Sequence, residues 1–400
     1  MKKLIALSLC GLAMVSAGAQ KANVDQAKKL AGKTDKIEEA RSLIKEAIAN
    51  PETSGQAATY YVAGKIEWDA FDKDALIQMA SPDKVSPIEM GNELLNGFNY
   101  FVQVFPLDQI PNEKGKVDPK YTKELQKKIA EKQPNFWDAG ANFYQEKQYP
   151  KAYEAFMIYG DMPDMEVLGA QKPEVPDTTR ALAYYYAGLS AWSANELDNA
   201  AKAFKMARNH NYTQPDAYIY EIATWQNIEQ QDTAREKEAM KAIYEASQVG
   251  YDRFGISQPL FLNNMVNSLI NSNREADGLA LVDQAIQQYP DNAQLYGLRG
   301  FVNDRIGNSD AAEADYRQAA SMPDVDYETM HNAVRKILRT GQEKWNEIEL
   351  GDPDIVAKKQ HIRSEYFEEA KKMAQKAKGL TEDPSDMDYL IDSIDYQLSL

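Results

Sequence analysis

Across Ala181–Ala207, "ALAYYYAGLSAWSANELDNAAKAFKMA", small and apolar residues recur at helical spacing. With Ala181 as position 1, Gly188 falls at position 8, Ala200 at 20, Phe204 at 24 and Ala207 at 27. The same slots hold Gly140, Ala152, Phe156 and Tyr159 in "NFWDAGANFYQEKQYPKAYEAFMIYGDMP". They hold Gly300, Ala312, Tyr316 and Ala319 in the segment beginning at Leu295, and Val266, Gly278, Val282 and Ala285 in the segment before it. Counted from Pro259 and Ala293, those two segments start 34 residues apart.

A helix–turn–helix unit of that period resembles the tetratricopeptide repeat, and an internal repeat outranks any local motif in deciding fold. The chain is therefore expected to be an all-α solenoid, a superhelical array of helical hairpins. The small residue at position 8 faces position 20, where two helix axes approach closely. The ring at position 24 is expected to fill the space between one hairpin and the next. The resemblance is narrower to exported bacterial members with a long array and a degenerate C-terminal pair.

The weaker segments complete the expected layout. Residues 20–105 form degenerate N-terminal hairpins: "DKIEEARSLIKEAIANP" supplies a second helix with Ala40, Ile44 and Ala47. A first helix around Gly64 follows, and its partner reaches Gly91, Leu95 and Phe98 only after an insert. Residues 106–132 are a loop and connecting helix, with a hinge expected near 106–120, and 133–326 are the core array. The unit at 216–250 can be registered two ways. Residues 327–380 are a degenerate pair: a long helix from Tyr327 to Glu349, then "YFEEAKKMAQKA" with Ala370, Ala374 and Ala377. After Asp383-Pro384-Ser385, residues 381–400 read as the capping helix that a solenoid needs at its open end. The connections "FPLDQIPNEKGKVDPK", "DMPDMEVLGAQKPEVPDTT" and "VGYDRFGISQP" read as surface loops.

The first twenty residues change the picture of where the chain works. Lys2 and Lys3 precede an apolar run from Leu4 to Val15, and Ala17-Gly18-Ala19 offers a small-x-small cleavage site. A bilayer span needs about 20 apolar residues, so a cleaved signal peptide over 1–19 is expected and no later span. The mature chain is then periplasmic or envelope-associated. Cys10 follows a bulky Leu9 inside the apolar run, which disfavours a lipoprotein. Cleavage after Ala19 leaves a chain without cysteine and, by removing two lysines and no acid, takes the net charge from −16 to −18.

With 45 Lys plus Arg against 61 Asp plus Glu, the acidity opposes a nucleic-acid partner, which needs a basic face. His210, His331 and His361 are far apart in sequence, and no HExxH, CxxC, phosphate loop or GxSxG elbow is present. Acids at Asp161–Glu166 and at Asp383, Asp386 and Asp388 lack EF-hand spacing. The expectation is no catalytic residue, no metal and no cofactor.

The resemblance implies a ligand surface on the concave face, at first-helix positions 2, 5, 9, 12 and 13. Carried onto this sequence, those positions give Tyr61, Trp68, Trp137, Tyr144, Tyr185 and Trp192, then Asn263, Asn267 and Asn271 at i, i+4 and i+8. Position 5 across the units is Tyr61, Trp137, Tyr185, Asn263 and Gly297, with no lysine, so the family's clamp for a C-terminal carboxylate is not expected. Amides beside rings suit a partner protein or extended peptide, or else a glycan. The resemblance therefore implies a non-enzymatic interaction scaffold of the cell envelope, with a carbohydrate-binding protein of a nutrient-uptake system as the alternative.

Overall fold

The computed structural model of the chain describes residues 22–31, 33–349 and 351–400. The leader-like stretch, with Cys10 and the Ala17-Gly18-Ala19 site, lies outside the described residues. Among the described residues there are eighteen α-helices and no strand, so the chain is an all-α solenoid of paired helices. Two compact units divide it, one ending at Ala239 and one starting at Met240.

In the first unit, α1 (22–31) and α2 (Ile37–Ala49) pack on α3 (Ala57–Ala80). The pattern at Val24, Ala27 and Ala31 makes α1 the missing first helix of the opening hairpin, buried against Ala40, Ile44 and Ala47. Arg41 ties that hairpin to the next. Its Nη2 donates to Glu67 Oε2 at 2.7 Å and to Glu93 Oε1 at 3.1 Å, and its Nη1 reaches Glu38 at 2.6 Å.

Next, α3 pairs with α4 (Pro87–Asp108), and α5 (Thr122–Gln145) pairs with α6 (Tyr149–Asp161). The connecting helix and the first helix of the core array are one continuous α5, running through Pro134. The connection before it is clasped. Asp108 accepts from the backbone N–H of Lys120 (3.0 Å), Tyr121 (2.9 Å) and Thr122 (2.8 Å), and from the Thr122 hydroxyl (2.8 Å). Because Tyr121 gives α5 no side-chain cap, Asp108 caps it from α4. The division between the units falls within α10 (Glu236–Phe254) and not at this connection.

The segment 161–176 is less of a surface loop than its composition suggests. It forms short 3-10 turns, buries Met162 and Leu168, and is held to α5 by Gln126 Nε2 donating to Val167 O at 2.8 Å. Then α7 (Asp177–Ser193) pairs with α8 (Leu197–Asn209), and α9 (Asp216–Gln231) packs on α8.

The second unit carries α11 (Pro259–Asn271) with α12 (Glu275–Gln288), and α13 (Ala293–Arg305) with α14 (Ser309–Ser321). The long α15 (Tyr327–Asn346) pairs with α16 (Ile355–Ile362) and α17 (Glu369–Lys378), which a π-helical turn at Arg363–Glu368 joins. Last, α18 (Ser385–Ser399) covers α17 and buries Met387 and Ile394.

The repeat slots behave as one device. A β-carbon at Gly140 would stand 2.8 Å from the Phe156 ring, one at Gly188 2.5 Å from Phe204, and one at Gly300 3.2 Å from Tyr316. The ring at position 24 therefore lies over the position-8 glycine of its own hairpin. It also reaches the next one, since Phe156 stacks on Tyr186 at 5.6 Å and Phe204 on Tyr220 at 5.5 Å. Ala152, Ala200 and Ala312 are fully buried where the helices cross. Gly64 follows the same logic, but its ring is Phe101, while Phe98 meets Phe136 of α5 edge-on at 5.3 Å. At Gly278 a β-carbon would meet only Val266 at 3.8 Å, an ordinary contact.

Each regular hairpin also turns the same way. Position 15 has positive φ in all four well-registered units: Lys147 at 58°, Asn195 at 59°, Asn273 at 55° and Gly307 at 79°. At the first of these, Lys147 N–H donates to Tyr144 O (3.1 Å) and Gln148 N–H to Phe143 O (2.8 Å). The other three repeat the pair, which is the Schellman closure of a helix end.

Candidate functional site

The ring positions expected on the concave face divide sharply. Trp68 is 4 % exposed: its indole lies over Gly97 and its Nε1 donates to Leu94 O at 3.0 Å. It is a core residue of the α3–α4 hairpin and not a ligand contact on the surface, because the missing side chain at Gly97 makes room for the ring inside.

Tyr61, Trp137, Tyr144, Tyr185 and Trp192 are half-buried, and other rings already hold them. Tyr61 stacks on Tyr121 at 4.3 Å and donates to Glu124 at 2.9 Å. Burial, then the Glu124 carboxylate, pushes its phenol well above the usual range. Trp137 meets Phe156 and Tyr159 edge-on at 5.5 Å, and Tyr186 at 5.9 Å. Tyr144 meets Tyr149 at 5.5 Å. Tyr185 stacks on Tyr212 at 4.7 Å, and burial raises its pKa too. Trp192 meets Tyr220 at 5.8 Å, and Tyr220 is the most exposed ring of this set. Edge-to-face and offset pairs stabilise by about 0.5–1.5 kcal/mol each, so these rings act first as packing between hairpins of the first unit.

The asparagine row is the opposite case. Phe261, Leu262, Met265, Val266, Leu269 and Ile270 bury the other faces of α11, which leaves Asn263, Asn267 and Asn271 exposed on one stripe. Among the described residues, none of the three amides makes a side-chain hydrogen bond to the protein. Phe301 is exposed on α13, whereas Asp304 is taken by Lys336 at 2.8 Å and by Arg339.

No group of three or more His, Cys, Asp or Glu among the described residues is placed to hold a metal ion. Four of the acids noted above have structural partners: Asp161 accepts from the Tyr184 hydroxyl at 2.8 Å, Asp164 pairs with Arg180, Asp383 accepts from Ser385 N–H at 3.1 Å, and Asp388 pairs with Lys378. His210 Nδ1 lies 2.6 Å from Asp177 Oδ1 with its ring near Tyr184, His331 stacks on Tyr327, and His361 is exposed. No described helix is long and apolar enough to cross a membrane.

No protein-family model matches the chain, and no curated protein matches it either. Among solved structures it is similar to a TPR repeats protein (BF2334) from Bacteroides fragilis, at 15% identity and TM-score 0.31, over 66% of this chain and 98% of that one. It is also similar to the P58(IPK) TPR domain, at 11% identity and TM-score 0.28, over 95% and 98%. Yeast Tom70 matches at 12% identity and TM-score 0.24, over 96% of each chain. The paired helices and the glycine–ring contacts at positions 8 and 24 fit a tetratricopeptide-like fold.

Proposed function

We propose that this protein is an exported, non-enzymatic interaction scaffold of a bacterial cell envelope, binding a partner protein or extended peptide through the first helices of its hairpins. The observation that carries the reading is the row Asn263, Asn267 and Asn271: three exposed amides on one stripe of a helix whose apolar face is buried, with no partner among the described residues. An amide offers a donor and an acceptor together, as a peptide backbone does, so a row of them can pair with a strand-like segment. The leader-like N-terminus and the acidity support export to the envelope and a partner other than nucleic acid.

The test is affinity capture from envelope extract with residues 20–400, beside Asn263→Ala, Asn267→Ala and Asn271→Ala combined. All three sites are exposed, so the melt should not move. A partner lost in the variant supports the reading. A partner kept by both, or a neutral glycan bound in its place, overturns it.

A further inference from the structure

A cavity of about 310 Å³ lies between α3, the start of α4 and α5, all in the first unit. Its volume is at the lower end for ligand pockets, which run roughly 300–1,000 Å³. Phe71, Pro87, Met90 and Ala139 line it with apolar surface, and Gln78, Asn135, Asp138 and Asn142 supply the polar groups. The last three stand at i, i+3 and i+7 of α5 and so project from one stripe.

None of these four polar side chains makes a side-chain hydrogen bond or ion pair among the described residues. Gln78, Asn135 and Asn142 are half-buried, so they have lost part of their water without a protein partner in exchange. Two amides of the neighbouring α4 are engaged: Asn92 accepts from Lys151 at 2.8 Å, and Asn99 donates to Glu154 at 2.7 Å. Open amides gathered at one cavity mark a place where a ligand completes the hydrogen bonding.

The spacing indicates which ligand. Asn135 and Asn142 are about 10 Å apart along the helix axis, at 1.5 Å per residue. An extended chain advances about 3.3 Å per residue, so the two amides bracket roughly three residues of it. Asp138 lies between them, exposed and without a cationic partner among the described residues. The apolar lining suits the aliphatic stem of a lysine or arginine, whose head would reach that carboxylate. A sugar would want an open ring face. Phe71 is only 5 % exposed and already carries the Lys132 ammonium 4.6 Å above its ring.

We propose that this cavity docks an extended peptide segment of a partner protein, its backbone on Asn135 and Asn142 and one basic side chain on Asp138. The site shares no residue with the asparagine row of α11.

The test uses the full chain and dye-labelled, end-blocked hexapeptide pools randomised at every position but the third, which is Lys, Ala or Glu. Binding is read by fluorescence anisotropy. The Lys pool should bind about tenfold more tightly than the Ala pool, and the Glu pool most weakly. Asp138→Asn should bring the Lys and Ala pools together. Asn135→Ala with Asn142→Ala should weaken both, while the α11 triple variant leaves both unchanged. Asp138 is exposed and the two amides, though half-buried, make no side-chain hydrogen bond among the described residues, so an unchanged melt verifies each fold. Equal binding of all three pools, no binding of any, or indifference to the α5 variants overturns the proposal. So does a neutral glycan whose binding is lost with Asn135 and Asn142.

Discussion

The Phe204 ring occupies the volume that a side chain at Gly188 would need, with Cε1 2.5 Å from the place of a β-carbon. The ring is also held by Tyr220, which stacks on it at 5.5 Å. Gly188→Ala therefore overpacks the α7–α8 crossing and should destabilise by about 1–3 kcal/mol. Gly278→Ala is the control: its nearest neighbour would be at 3.8 Å, and alanine in a helix interior is favoured by roughly 0.5–1 kcal/mol. Thermal melts of the two variants should move in opposite directions. A shared direction would show that the glycine–ring contact does not set the helix spacing.

Lys147 should be a weak point that glycine repairs. It holds φ of 58° at a helix end where the other three well-registered hairpins use asparagine or glycine. An L-residue in that conformation costs roughly 1–2 kcal/mol, less for asparagine, because its β-carbon crowds the following carbonyl. The Schellman bonds need that conformation, so the chain cannot relax out of it. Lys147→Gly should stabilise by up to about 1 kcal/mol, while Gly307→Ala should lose a similar amount. Chemical denaturation decides it, and a destabilised Lys147→Gly would contradict the reading.

Much of this architecture was legible in the sequence, because a repeated unit exposes its own constraints. Gly188 with Phe204, and Gly140 with Phe156, stand at the same separation, and one packing solution explains both. Legibility ended where the contact partner was not periodic. Trp68 shares its helix face with Tyr61, and only the glycine opposite, Gly97, decides that the indole turns inward. The stripe Asn135, Asp138 and Asn142 is visible in "NFWDAGAN", but its other wall is the extended end of α3, inside the insert that blurs the repeat. Position 15 was hidden for another reason: lysine, asparagine and glycine look unrelated until the backbone shows that they share one conformation.

Asp108 should hold the 109–121 connection in place. Burial pushes its carboxyl up, but three backbone N–H groups and the Thr122 hydroxyl outweigh that and hold it below the usual carboxylate range. Loss of a helix cap costs about 0.5–2 kcal/mol, and Asp108→Ala should fall in that range. Its amide exchange should accelerate at Lys120, Tyr121 and Thr122 while the helix interiors stay protected. Because the folded-state pKa is depressed, this contribution is complete above the unfolded value and is lost as pH falls through the folded one. Unchanged exchange at those three amides would remove the clasp.

Glu93 should give the opposite pH dependence. Burial pushes its carboxyl up to about 7 against the pull of Arg41, and Glu93 Oε2 is buried without a hydrogen-bond partner among the described residues. Folding therefore favours the protonated acid. The resulting stability is fully present below the unfolded value, near 4.5, and is lost as pH rises to about 7. Glu93→Gln keeps the shape and fixes the neutral form, so Arg41 retains Glu67 and Glu38 as its anionic partners. Thermal melts of the wild type should fall between pH 5 and pH 7 more steeply than those of Glu93→Gln, with the gap constant above about pH 8. Parallel profiles across that interval would show that Glu93 is already ionised when folded, and that the Arg41 pairing outweighs its burial.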